Sequence, residues 1–161
     1  MVVILIAVAG AGKTTIGRAL AGELGWRFID GDDWHTPAAV AKMRGGIALT
    51  DADRAPWLAA LHRIIAAALD RREHLVLACS ALHERYRVAL RGTLPSVRFV
   101  YLSADEATLR RRLEDPAGHF AGARLLTNQL AELEETADAS AIDATLPPER
   151  ILATIRDEFG L

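Results

Sequence analysis

The period of apolar and polar positions changes repeatedly along this chain, and each change marks an element. Residues 1–8, MVVILIAV, are an unbroken and largely β-branched apolar run. Such a run predicts a strand buried on both faces, as in a parallel sheet. Gly10-Ala11-Gly12 turns the chain, and over Lys13–Leu24 the apolar positions Ile16, Leu20 and Leu24 recur at helical spacing. Arg27–Asp30 predicts a second, short strand that runs into the polar stretch DGDDWHTP. Thr36 and Pro37 then have the character of an N-cap and a first helical residue, with Gly45-Gly46 as the stop.

Trp57, Leu58, Leu61, Ile64, Ile65 and Leu69 predict an amphipathic helix over 57–71. HLVLACSA (74–81) reads as a strand, Leu82–Leu90 as a helix and VRFVYL (97–102) as a fourth strand. Ser103-Ala104-Asp105-Glu106 has the spacing of a capping box and opens a helix to about Leu113. EDPAGHFAG (114–122) interrupts it, and Ala123–Glu134 resumes helical spacing. A weak strand over Ser140–Ala144 precedes Pro147-Pro148 and a last helix carrying Ile151, Leu152, Ile155 and Phe159. Regular alternation of strand and helix, without repeats or linkers, predicts one α/β domain over residues 1–161: a three-layer sandwich around a mainly parallel sheet.

Composition narrows the partners. Of the 161 residues, 51% are apolar and 25% charged, enough for a core and unlike a disordered chain. A formal charge of −2 gives no sign of a nucleic-acid or membrane partner. The single cysteine, Cys79, excludes an internal disulfide framework and suits a reducing cytoplasm. The apolar start is too short to span a membrane and lacks the basic flank of a signal peptide.

The turn between the first strand and helix, ILIAVAGAGKTTIG, is close to the phosphate-binding pattern G-x-x-x-x-G-K-[ST]. Gly12, Lys13 and Thr14 fit its second half, and Ala7 stands where the first glycine is usual. A glycine-rich turn at a helix N-terminus aims backbone N–H groups and a partial positive charge at one point, which favours an anion. Ala9, Gly10, Ala11, Gly12, Lys13, Thr14 and Thr15 are therefore the candidate nucleotide-binding residues. Lys13 would reach the outer phosphates and Thr14 would ligate Mg²⁺. Alanine at position 7 is tolerated if its φ stays negative.

Ligands of parallel α/β sheets gather beyond the carboxyl ends of the strands. Asp30 and Asp32 stand there after strand two, and Cys79-Ser80 after strand three. A kinase acting on a hydroxyl needs a carboxylate to orient it and take its proton, and often another toward Mg²⁺. A polar turn with a capping Asp would look the same. Arg54 and Arg87 lie beside helical segments at the same end of the sheet. They suit an anionic acceptor such as a carboxylate, although solvated arginines give the same pattern.

Together these segments resemble the small gluconokinases of the P-loop kinase group, the thermoresistant or GntK-like family. The resemblance rests on AGAGKTT, on FIDGDDWHTPAAVAKMRGGIALTDADRAPWL, on LACSALHERYRVALR, on VRFVYL and on GHFAGARLLTNQLAELE, in that order over nearly the whole chain. It implies phosphorylation of D-gluconate at its C6 hydroxyl by ATP with Mg²⁺. It also implies a nucleoside-monophosphate-kinase-like fold with a five-stranded parallel sheet, a small lid at about 114–123, and a homodimer. Carried onto this chain, it assigns Asp32 to the acceptor hydroxyl and Asp30 to Mg²⁺ through water. Arg54, Arg87 and His119 become candidate gluconate contacts, and His35 and Lys42 match the acceptor motif.

The chain departs from the family's pattern at three places. Ala7 and His83 could reshape the site, which leaves a related kinase for another small hydroxy acid, such as shikimate, as an alternative. Pro116 stands where the lid usually carries an arginine, which leaves a nucleotide-binding module without turnover as another. Arg112 is then the arginine available to stabilise charge on the transferring phosphoryl group.

Overall fold

The apolar run at the start of the chain becomes the middle of a sheet. In the computed structural model, which describes residues 1–114 and 121–161, β1 is Val2–Ile6, β2 Arg27–Asp30, β3 Leu75–Ala78, β4 Val97–Ser103 and β5 Ser140–Asp143. The strand order is β2-β3-β1-β4-β5, and every neighbouring pair is parallel. β1 is buried along its whole length because its two faces meet different helix layers. Val3 and Leu5 pack with α1 (Lys13–Leu24), α5 (Glu106–Leu113), α6 (Ala121–Glu132) and α7 (Pro148–Phe159). Val2, Ile4 and Ile6 pack with α3 (Asp51–Asp70) and α4 (Glu84–Arg91). This is the expected three-layer sandwich on a five-stranded parallel sheet.

Several boundaries differ from the sequence reading, each for a local reason. The helix expected from Trp57 begins at Asp51. Thr50 and Asp53 cap it reciprocally, with Asp in place of the usual Glu or Gln, and the helix continues through Pro56. The cap of α5 is Asp105, whose carboxylate accepts from the Thr108 N–H at 2.8 Å, while Ser103 ends β4. α4 begins at Glu84 rather than Leu82, and α6 at Ala121 rather than Ala123. Gly31–Trp34 forms a single 3-10 turn before α2 (Pro37–Arg44), whose Thr36 cap and Pro37 start are as expected. β1 and β3 are shorter than their apolar runs, since the residues beyond them turn into loops.

β1 is followed in the sheet by β3 on one side and β4 on the other, so the chain diverges at its carboxyl end. That divergence opens the crevice where ligands of such sheets bind. No helix among the described residues is long and apolar enough to cross a membrane.

Candidate active site

The phosphate loop occupies that crevice. Gly10 and Gly12 take φ values of 83° and 89°, conformations that side chains rarely adopt. Gly12 is the N-cap of α1 and offers no side-chain cap, so the first-turn N–H groups of the helix remain available to an anion. A Cβ on Gly10 would lie 2.9 Å from the Leu109 carbonyl oxygen and 3.1 Å from Cγ of Leu113. The loop is thus pressed against α5. Ala7 is fully buried in the core with Leu5 and Leu109 and is not one of the non-glycine residues with positive φ, which among the described residues are Arg72 and Ala81. Its methyl group fills the core and the backbone there needs no glycine.

Thr14 and Asp30 meet across the crevice. The Thr14 hydroxyl donates to Oδ2 of Asp30 at 2.9 Å, and Oδ1 of Asp30 accepts from the Asp32 N–H at 3.2 Å. Asp30 therefore caps the 3-10 turn with one oxygen and meets the phosphate-loop Thr14 with the other. A hydroxyl and a carboxylate in contact form a hard, oxygen-only donor pair of the kind Mg²⁺ takes alongside phosphate oxygens and water. Asp32 is exposed at the mouth of the crevice, and Lys13 is half-buried at the start of α1.

The turn bearing these carboxylates is held from beneath. A Cβ on Gly31 would approach the Ala78 carbonyl oxygen to 2.8 Å, so only glycine lets β2 leave the sheet so close to β3. The Gly31 carbonyl accepts from Nε1 of buried Trp57 at 2.7 Å. His35 stacks on the Trp57 ring with centroids 4.4 Å apart and planes 13° from parallel. Nδ1 of His35 is buried without a partner among the described residues. Burial lowers the His35 pKa below its usual value, with Asp32 acting against it and Arg54 in the same direction.

Around the acceptor side, Arg54 is half-buried. It donates to the Tyr86 hydroxyl at 2.9 Å and to Glu132 at 3.1 Å. Tyr86 in turn donates to Asp51. Lys42 is committed to Asp53 at 2.7 Å, joining α2 to the cap of α3. That ammonium, with the Thr50 bonds, lowers the Asp53 carboxyl to about 2.

Arg87, expected beside Arg54, does not join this group in the structure. It is 1% exposed and bonds Asp138 at 2.8 Å and the carbonyls of Ala81, Leu82 and Glu135 at 3.3, 3.2 and 2.6 Å. Its guanidinium is spent on bracing the loop after β3, where Ala81 has a φ of 37°. Arg112 donates to the Ala144 carbonyl at 2.8 Å, just after β5. Cys79 is fully buried, and burial pushes its thiol well above the usual range, so it is no nucleophile. His119, Pro116 and most of the expected lid lie outside the described residues.

Three further residues, Tyr86, Gln129 and Glu132, lie in segments that carry the resemblance, but their roles were not legible there. Tyr86 orients Arg54, and Gln129 and Glu132 on α6 reach the phosphate loop and Arg54. Helical spacing over 123–134 announced the helix but not which elements its polar side chains would meet.

An anion-binding helix end beside an oxygen pair suited to Mg²⁺ and an exposed carboxylate is the equipment of phosphoryl transfer, so fold and site define a P-loop kinase. A family model described as an AAA domain matches residues 2–138. The gluconokinase of Gluconobacter oxydans is 45% identical over 135 residues, covering 84% of this chain and 76% of that protein. The gluconokinase of Arabidopsis thaliana is 38% identical over 169 residues, covering 96% and 89%. The crystal structure of a gluconokinase from Sinorhizobium meliloti matches with a TM-score of 0.82 at 37% identity, over 98% of this chain and 94% of that one. The chain belongs to that domain family and, within it, to the gluconokinases.

Proposed function

We propose that this enzyme transfers the γ-phosphoryl group of ATP to the C6 hydroxyl of D-gluconate, giving 6-phospho-D-gluconate and ADP. The observation that carries the reading is the hydrogen-bonded sequence Thr14–Asp30–Asp32 at the open N-terminus of α1. The N–H groups of Gly10–Thr15 and the Lys13 ammonium bind the phosphates, while the Ala9 N–H, also expected there, is taken by Gln129. Thr14, and Asp30 through water, would hold Mg²⁺, which when bound would supply charge neutralisation at the phosphates. Asp32 orients the C6 hydroxyl and accepts its proton as the oxygen bonds to the γ-phosphorus and the bond to the bridging oxygen breaks. Arg54, polarised between Tyr86 and Glu132, takes the gluconate carboxylate.

His35 contributes by fixing the carboxylate turn. His119 and the lid at about 114–123 complete the acceptor side in this reading. Arg112 serves the transferring phosphoryl group once it leaves the Ala144 carbonyl. The same reading treats residues 1–161 as one kinase domain, cytoplasmic and paired as a homodimer.

A coupled assay of ADP release tests the proposal, with Mg²⁺-ATP and D-gluconate, shikimate, other sugar acids or water alone. Release with gluconate is expected. Asp32→Asn should lower kcat by about 10²-fold or more, the usual scale for a lost general base. Lys13→Ala should abolish measurable turnover. Release with a different acid would replace the acceptor, and normal turnover in both variants would remove the mechanism.

A further inference from the structure

The Ala9 N–H belongs to the phosphate loop, yet its partner is neither solvent nor loop: it donates to Oε1 of Gln129 at 2.6 Å. Gln129 lies on α6, 120 positions away in the chain. Three residues further along the same helix, Glu132 accepts from Arg54 at 3.1 Å, and its carboxylate lies 4.0 Å from Nε2 of His83. Residues spaced by three share a helix face. One face of α6 thus touches the nucleotide loop with one side chain and the acceptor-side arginine with the next.

The helix between these contacts is firmly seated. Leu126, one turn before Gln129, is fully buried in the core beside α1. Just beyond the helix, Glu134 is fixed to α4: its N–H donates to the Leu82 carbonyl at 3.0 Å, and its carboxylate accepts from the Glu84 N–H at 2.6 Å. A helix held in this way keeps Glu132 in a fixed relation to the loop contact, so loss of that contact would be felt at Glu132.

We propose that Gln129 is a positioning residue that docks α6 on the phosphate loop and, through Glu132, orients Arg54, so that nucleotide and acceptor binding are energetically coupled. In the structure Gly10 and Gly12 have positive φ and the Ala9 N–H meets Gln129, and a bound nucleotide would hold the loop in that conformation. Docked α6 holds Glu132 against Arg54, and Tyr86 holds the other side of the guanidinium. Arg54 then meets the acceptor carboxylate already oriented. Binding linkage is reciprocal, so gluconate must tighten the nucleotide by the same factor. The inference rests on the gluconokinase reading for the identity of the acceptor.

The experiment uses the full chain and four proteins: wild type, Gln129→Met, Glu132→Gln and the double variant. Met keeps the length and helix preference of Gln but cannot accept a hydrogen bond. Calorimetry measures D-gluconate affinity with and without a non-hydrolysable ATP analogue and Mg²⁺. In wild type the analogue should tighten gluconate about 2- to 10-fold, the scale of one net hydrogen bond. In Gln129→Met the ratio should fall toward one while the melting temperature drops by no more than the few degrees one lost hydrogen bond costs, whereas a merely structural role would lower the melting temperature and leave the ratio unchanged. Each single variant should remove most of the coupling and the double variant little more.

Exchange of the Ala9 amide proton, followed by NMR without ligands, should speed up in Gln129→Met. A wild-type ratio of one, a ratio retained in Gln129→Met, or unchanged Ala9 exchange would each overturn the inference. Failure of the gluconate reading would look different: no gluconate binding or turnover in wild type, with Ala9 exchange still sensitive to Gln129.

Discussion

Gly31→Ala should damage the site without touching any group that meets substrate. The added Cβ would stand 2.8 Å from the Ala78 carbonyl oxygen, whereas ordinary contact begins at 3.4 Å, so the two backbones must part by about 0.6 Å. Ala78 is the residue paired with Asp30 in the β2–β3 register, so the separation acts directly on Asp30. The Thr14–Asp30 bond at 2.9 Å and the Trp57–Gly31 bond at 2.7 Å both cross this region and would stretch toward their limits. Overpacking of this kind costs about 1–3 kcal/mol. For a chain of this size that lowers the melting temperature by about 2–12 °C.

The effect on rate should exceed the effect on stability. A misplacement of about 1 Å at a reacting group costs on the order of 10²-fold. A displacement about half as large should lower kcat by about tenfold or more, with the ATP KM changed less because the loop itself is intact. Thermal unfolding and the ADP-release assay at saturating gluconate measure the two quantities. Gly22→Ala is the control, since a Cβ there meets nothing within 4 Å, and it should stabilise α1 by about 0.5–1 kcal/mol. A Gly31→Ala enzyme with kcat within twofold of wild type and an unshifted melting temperature would refute the argument.

Arg87→Met should destabilise the protein by about 3 kcal/mol, because it leaves Asp138 with only the longer Arg91 contact at 3.6 Å and removes the side-chain donor from the Ala81 and Glu135 carbonyls, while the Leu82 carbonyl keeps the Glu134 N–H. A variant of unchanged stability that failed to bind gluconate would return Arg87 to the acceptor site. Asp53, held at about 2 by Lys42 and Thr50 against a usual 3.8, contributes stability fully above its unfolded value. That contribution is lost as pH falls through the folded value. The stability difference between wild type and Asp53→Asn, measured by denaturant titration, should be constant near neutrality and shrink from about pH 4 to about pH 2. A difference that stayed constant down to pH 2 would contradict the Lys42–Asp53 assignment.

The amino-acid sequence by itself determined the sheet, the phosphate loop and most helix ends. These rest on short-range patterns: a β-branched run that suits burial on two faces, glycines at the tightest turn, and Thr36-Pro37 at a helix start. Where the local signal was mixed, the boundary moved. Pro56 concealed the true start of α3 because proline usually ends a helix, while the Thr50–Asp53 cap that outweighs it uses Asp at a position where Glu or Gln is usual.

Tertiary structure alone decided which polar side chains are available for chemistry. Arg54 and Arg87 are indistinguishable in the sequence, each an arginine beside a helical segment at one end of the sheet. Packing leaves Arg54 half-buried between Tyr86 and Glu132 and seals Arg87 among three carbonyls and Asp138. The partnership of Gln129 with Ala9 was equally invisible. Helical periodicity fixes which side of α6 is apolar, but the loop its polar side meets is chosen by how the layers stack. A hydrogen bond between residues 120 positions apart has no counterpart in the local pattern of either.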